Sequence, residues 1–373
     1  MSNQNIGTPR FYTDIMNFLM SRGSSQSSLI DVKSTAGADP NKTRGIQNGS
    51  EAELFDMKPL NKVDFDTSGD PDSHVLIVLD ASDFKKNYIA ILNHNLNSAK
   101  GKIRVFAGDT LTEADDVNGS GASTGDINWE TEYDAGNVLE VVNADIIADM
   151  SGHGSIANGT SIVVKPATDG STIFKFGETS LRYWGIQFEG ADGSFCAETD
   201  DLFDSSTDLF VGCIMIGEYY DMPVAPDMAV KRSIIYDNVD VQESFGGQRF
   251  GNMVSKGRTG TTTTKSPFNN ASYNNKVYGG RLTFDMSFSY INSTDLMPAR
   301  YHDSNTTDDA VVEDVWNKTN GPQLPFILSL DNSITGHNAE DVHIFARFAQ
   351  NGIDMTQVMH KIWSIKMRIE EEF

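Results

Sequence analysis

The sequence predicts an all-β protein: an N-terminal helix and extended arm over residues 1–70, a β-sandwich or jelly roll over 71–222, and a second β-rich domain over 223–373. Three observations carry this expectation. Short runs of β-branched and aromatic residues recur along the chain, each bounded by Asn, Asp, Ser or Gly, which form turns by hydrogen-bonding their own backbone. No long helical period lies between those runs. Two segments in the second half alternate apolar and polar residues, the period of a strand with one face buried.

Taken in order, Phe11, Ile15, Phe18 and Leu19 fall at helix-compatible spacing, with Gly23 as a stop, which predicts one short amphipathic helix. Ser24 to Glu53 holds few large apolar residues, namely Leu29, Ile30, Val32 and Ile46, and reads as a linker or an arm that orders on a neighbouring subunit. From His74 the unbroken run Val75 to Leu79 predicts a strand buried on both faces. Tyr88 to Leu92 and Ile103 to Phe106 flank the turn-rich connection Asn93 to Ala99. Ser161 to Val164, Ile173 to Phe176, Arg182 to Phe188 and Leu209 to Ile216 continue the series, and the polar stretch Gly108 to Gly125 reads as a long excursion from one end of the sandwich.

At Pro223 the character changes, because Pro223 and Pro226 fix φ and remove backbone donors, making a rigid connector. Beyond it, Leu282, Phe284, Met286, Phe288 and Tyr290 alternate with polar residues. Trp363, Ile365, Met367 and Ile369 repeat that pattern. Phe326 to Leu330 and Val342 to Phe348 are two more strands, while Phe250 to Asn275, rich in Gly, Thr and Asn, reads as a loop or assembly arm.

Composition narrows the function. With 29 Lys+Arg against 52 Asp+Glu the net charge is -23, so nucleic acid, whose phosphates are bound by clustered cations, is not an expected partner. Two cysteines, Cys196 and Cys213, make no disulfide framework and read as buried thiols. No apolar run reaches the roughly 20 residues that cross a bilayer, and no signal-peptide pattern opens the chain, so membrane insertion is not expected.

The apolar strand before Asn93-His94-Asn95-Leu96, then Ser98, Ala99 and the strand Ile103-Arg104-Val105, resembles a module of tail and baseplate-region proteins of tailed bacteriophages. That module has a galactose-binding-like jelly-roll fold. The likeness resumes at Leu181 to Phe188 and at Val211 to Pro223. Beyond these, Asp221 to Asp227, Tyr236 to Val239 with Gly246-Gly247, Leu324 to Leu328, Phe345 to Phe348 and the closing strand resemble the stretch after the jelly roll in such proteins. The likeness covers residues 75–373 loosely and the first 70 weakly, and the inserted loops depart from it, leaving the position in the virion open. The resemblance implies a non-enzymatic virion structural protein of the tail region, assembled in the host cytoplasm as a homo-oligomer against other virion proteins. A galactose-binding-like fold also permits a second role, an adhesin engaging host-surface glycan.

Chemistry-bearing motifs are few. The chain has no phosphate loop, nucleophile elbow, paired-cysteine zinc pattern or His-Glu-x-x-His helix, so no catalytic residue is nominated and no cofactor is expected. Asp115, Asp116 and Asn118 offer oxygens suited to Ca²⁺, as do Asp200, Asp201 and Asp204, although neither group completes a calcium loop and a solvated acidic loop accounts for both. Trp129 and Tyr133 are the candidates for stacking a sugar ring; Tyr183 and Trp184 also qualify by type, but Trp184 shares a strand face with Ile186 and Phe188 and reads as core. His337 and His343 form the nearest histidine pair and read as loop or solvent residues, and His94 as a turn-stabilising side chain.

Overall fold

The computed structural model describes residues 6–32, 44–109, 138–144, 147–149, 161–191, 202–235, 239–253, 268, 281–299, 309–336, 339 and 342–372. The all-β class holds. In chain order, β1 (Arg10–Asp14) runs into helix α1 (Ile15–Ser21), and helix α2 (Gln26–Leu29) into β2 (Ile30–Val32). Short strands β3 (Ile46–Asn48) and β4 (Val63–Phe65) precede the long ones, β5 (His74–Asp80), β6 (Lys86–His94) and β7 (Gly101–Gly108). Then come β8 (Val138–Ala144), β9 (Ile147–Asp149), β10 (Ser161–Pro166), β11 (Gly170–Thr179), β12 (Tyr183–Gly190), β13 (Leu209–Val211) and β14 (Cys213–Asp221). The second part supplies β15 (Lys231–Ile235), β16 (Val239–Glu243), β17 (Arg249–Met253), β18 (Arg281–Asn292), β19 (Phe326–Ser329), β20 (His343–Phe348), β21 (Met355–Met359) and β22 (Ile362–Glu371). That part also holds a four-residue helix, Ser293–Leu296, and a π-type helix, Val311–Asn317.

One sheet of eleven strands organises the molecule, in the order β15-β18-β22-β20-β19-β1-β14-β6-β11-β9, with β21 also paired to β22. A six-stranded sheet, β2-β5-β12-β7-β10-β8, covers one half of it. The pleat sends alternate residues to opposite faces. Ile89, Ile91, Phe174, Phe176, Ile214 and Ile216 of the long sheet therefore meet Val75, Ile77, Leu79, Ile103, Val105, Trp184, Ile186 and Phe188 of the covering sheet in one buried core. This is a two-layer sandwich. The chain crosses between its layers at each step from β5 to β6 to β7 and again from β10 to β11 to β12. A second core gathers Phe284, Met286, Phe288, Phe326, Leu328, Phe348, Ile365, Met367 and Ile369 with Val311 and Val315 of the π-type helix. On the opposite face of the long sheet a third cluster unites Tyr12, Tyr88, Leu92, Met215, Ile327 and Phe345.

The strand β1 is the seam. It pairs on one edge with β14, Arg10 opposite Asp221 and Asp14 opposite Gly217, and on the other with β19, Arg10 opposite Ser329. Phe11 and Tyr12 are fully buried there. The helix expected from Phe11 begins only at Ile15, because Asp14 caps it: its Oδ2 accepts from the Asn17 backbone N–H at 2.7 Å while its Oδ1 accepts from Ile216 N–H at 3.1 Å. Residues 26–32 of the expected arm are helix and strand, with Leu29, Ile30 and Val32 buried against the sandwich core, so within the described residues that part is no arm.

Two further expectations meet corrections. Tyr290, expected on the inner face of β18, is 68% exposed, because the register slips by one residue between Phe288 and Ile291 and Ile291 takes the buried position instead. Part of the expected loop from Phe250 is strand, since β17 pairs with β16 as a separate two-stranded hairpin.

Candidate functional site

The residues nominated from sequence for calcium, Asp115, Asp116 and Asn118, and for sugar stacking, Trp129 and Tyr133, lie outside the described residues, as do Asp200, Asp201, His337 and Cys196. Among the others, Trp184 is fully buried, its indole N–H donating to Leu181 O at 2.8 Å, and Tyr183 lies half-buried under the Arg182 guanidinium. Asp204 closes its own turn, its Oδ1 accepting from Ser206 N–H at 2.8 Å. Among the described residues no group of three His, Cys, Asp or Glu is arranged to hold a metal ion.

His94 and His343 are structural. His94 is buried; Leu96 N–H donates to its Nδ1 at 3.3 Å, so the ring proton sits on Nε2 and bonds Thr172 Oγ1 at 2.9 Å, which ties the turn to β11. Burial pulls its pKa down to about 3. His343, expected in a loop, is instead a buried residue of β20 whose Nδ1–H donates to Ala339 O at 2.7 Å, and burial lowers it to about 4. Cys213 packs in the third apolar cluster, where burial pushes its thiol well up and leaves it a small hydrophobe.

Buried charges cluster where the two halves of the long sheet join. The Arg10 guanidinium forks onto Asp221, with both N···O distances 2.7 Å, and lies 4.2 Å from the Tyr219 ring centroid. Burial works against the Asp221 carboxylate, but Arg10 outweighs it and holds it below the usual range. Three residues along β14, Glu218 accepts from Lys318 Nζ at 2.6 Å, and the same ammonium reaches Asp314 at 2.9 Å. Burial opposes the charge on Lys318, yet Asp314 and Glu218 more than offset it and raise its pKa. These groups fasten the π-type helix to the sheet. Lys86 is held differently: its Nζ donates to the carbonyls of Ser82, Phe84 and Leu181 at 2.6, 2.7 and 3.0 Å, and burial lowers it to about 7. Each of these groups has a structural use, as a member of an ion pair or as an ammonium held by carbonyls.

What the described surface does display is apolar. Nine of its eleven exposed large hydrophobic residues belong to the second part: Met228, Ile234, Ile235, Val241, Phe245, Phe250, Tyr290, Val358 and Met359. Three sit on the β16–β17 hairpin, where Val241 is 57%, Phe250 61% and the tip residue Phe245 fully exposed. Every side chain from Val241 to Gly251 is exposed, and among the described residues the hairpin forms a sheet of two strands. Beside it in sequence, β15 ends the long sheet, paired among the described residues to β18 only, with Ile234 and Ile235 exposed. The composition of 250–275 hid this hairpin from sequence reading; Val239-Asp240-Val241 and Phe250, either side of Gly246-Gly247, are the signal that a search for paired short strands around a turn would have caught.

No family model, curated protein or solved structure matches the chain.

Proposed function

We propose that the chain is a structural, non-enzymatic subunit of a tailed-bacteriophage virion, working in the tail or baseplate region by oligomeric assembly. The observation that carries the assembly reading is the exposed β16–β17 hairpin. A lone two-stranded hairpin is at best marginal in water, and Val241, Phe245 and Phe250 leave apolar surface uncovered on this one. Val241 pairs with Gly251 and Phe250 with Gln242, so the two stand on opposite faces of the hairpin, and a partner that clasps it covers both. Among the described residues the adjoining strand β15 pairs along one edge, and its other edge offers backbone groups for the same contact. The virion assignment rests on the sequence resemblance over residues 75–373, and the sandwich, with its chain alternating between two sheets, is compatible with the jelly roll that the resemblance implies.

Two measurements test the reading at its two levels. Sedimentation velocity of the wild type over a concentration series, beside a Phe245→Ser/Phe250→Ser variant, is expected to show an oligomer that the variant loses while keeping its β-sheet circular dichroism. A monomer at every concentration, or an unchanged oligomer in the variant, overturns the hairpin's role. Mass spectrometry of purified particles from the source, with antibody labelling at the tail end, is expected to find the chain there, and its absence from particles overturns the virion assignment.

A further inference from the structure

We infer that a small cavity beside Trp316 is a binding site for a single neutral sugar ring. This inference rests on the cavity alone and stands apart from the assembly reading. The cavity, about 180 Å³ in volume, lies where three segments meet: Arg22 at the end of α1, Trp316 to Pro322 on and after the π-type helix, and Asn351 in the turn after β20. It is smaller than the roughly 300–1,000 Å³ of sites for drug-sized ligands, which sets the occupant at about one ring.

The chemistry of the lining favours a polyol. It brings one indole, one guanidinium and three carboxamides together with Gly321 and Pro322, and no carboxylate lines it although the chain has 52 acidic residues. A sugar hydroxyl both donates and accepts, and a carboxamide offers the matching pair of functions. Two of the amides are held in place by their nitrogen: Asn317 Nδ2 donates to Glu313 Oε2 at 2.9 Å, and Asn320 Nδ2 to Ser21 Oγ at 2.6 Å. Their oxygens, the Trp316 indole N–H and the Asn351 amide have no protein partner among the described residues. Arg22 stacks on Phe18, its Cζ 4.8 Å from the ring centroid, and makes no ion pair among the described residues, so its N–H groups can donate to hydroxyl oxygens.

The indole is fixed as well. Its ring centroid is 5.0 Å from that of Phe348, and Gly321, at φ +61°, lies so close that a Cβ there would be 3.1 Å from Trp316 Cζ2. A fixed aromatic edge and anchored amides are the preorganised parts a weakly held sugar needs, because little side-chain entropy is lost on binding. The net charge of -23 disfavours an anionic sugar, so the ligand class is the neutral hexose.

Saturation-transfer NMR with the full chain and the methyl glycosides of glucose, galactose and mannose tests the site, with glucuronate as the charged control. The expected result is saturable binding of at least one neutral glycoside, weakened at least fivefold in Arg22→Ala and in Asn351→Ala. Both residues are exposed, so the variants are expected to keep the wild-type melting temperature. Trp316→Phe, which keeps a ring but removes the N–H, is expected to weaken binding as well. No saturable binding of any neutral glycoside, binding of glucuronate alone, or unchanged binding in the Arg22 and Asn351 variants overturns the proposal.

Discussion

Lys318 carries a large consequence for one side chain, because two carboxylates, Glu218 and Asp314, pair with its charge in a buried setting. Replacing it by methionine strands both, and breaking a buried ion pair from one side costs about 3–5 kcal/mol. Denaturant unfolding of Lys318→Met is expected to show that loss, and a midpoint within experimental error of wild type would contradict it. Gly217 is a second such position, for a steric reason. A Cβ there would stand 2.1 Å from the Thr13 carbonyl oxygen, a backbone atom of the seam strand that has no room to yield, so Gly217→Ala is expected to cost about 1–3 kcal/mol by overpacking. The buried histidines set a pH dependence whose sign follows from their depressed pKa values. His94 and His343 are held neutral in the fold at about 3 and about 4, against an ordinary 6.5 when the chain is unfolded. The stability they contribute is complete above pH 6.5 and drains as pH falls toward those folded values, at about 1.4 kcal/mol per pH unit for each proton taken up on unfolding. Asp14 runs the other way, its pKa raised by burial to about 6 from 3.8, so its contribution is complete below 3.8 and lost as pH rises through 6. Urea melts between pH 7 and 4 are therefore expected to show a shallower fall in His94→Asn than in wild type, and parallel profiles would contradict this account.

At the scale of elements, the sequence disclosed strands whose apolar period is regular or whose run is long. Val75 to Leu79, Tyr88 to Leu92 and the alternating pair near Leu282 and Ile365 all form strands. It failed where neighbours, not local pattern, decide the conformation. Arg10-Phe11-Tyr12-Thr13-Asp14 has no readable alternation because both its faces and both its edges are occupied, so apolar and polar residues alike are buried. Tyr290 misled for a related reason, since a bulge reverses the sides of a strand without altering composition. The candidate sites fared differently: Trp316, Asn320 and Asn351 lie in segments with no motif, and only folding brings them to Arg22. The position of β1 gives an element-level prediction. A proline at Thr13 deletes a backbone donor in the middle of the sheet, where proline is not tolerated. Thr13→Pro is expected to abolish soluble folded protein or to lower the melting temperature by more than any of the single-residue changes above; a stable variant would show that the seam is dispensable.

Over the whole molecule, the two main cores lie on either side of the seam but share one sheet, with Phe11 and Tyr220 in the second core and Ile15 and Ile216 in the first. Strands that belong to a single hydrogen-bonded ladder are not free to melt separately without exposing an internal edge. Differential scanning calorimetry is therefore expected to show one cooperative transition, and two resolved transitions would mean that the halves unfold independently across β1. The same strand also orders events in time. A ribosome delivers Arg10–Asp14 first, yet its two partners arrive about 200 and 320 residues later, at Gly217–Asp221 and Ile327–Ser329. The strand β1 thus emerges long before it can be locked in, and until β19 is translated the nascent sandwich carries an open edge that must be kept from pairing with another nascent chain on the same message.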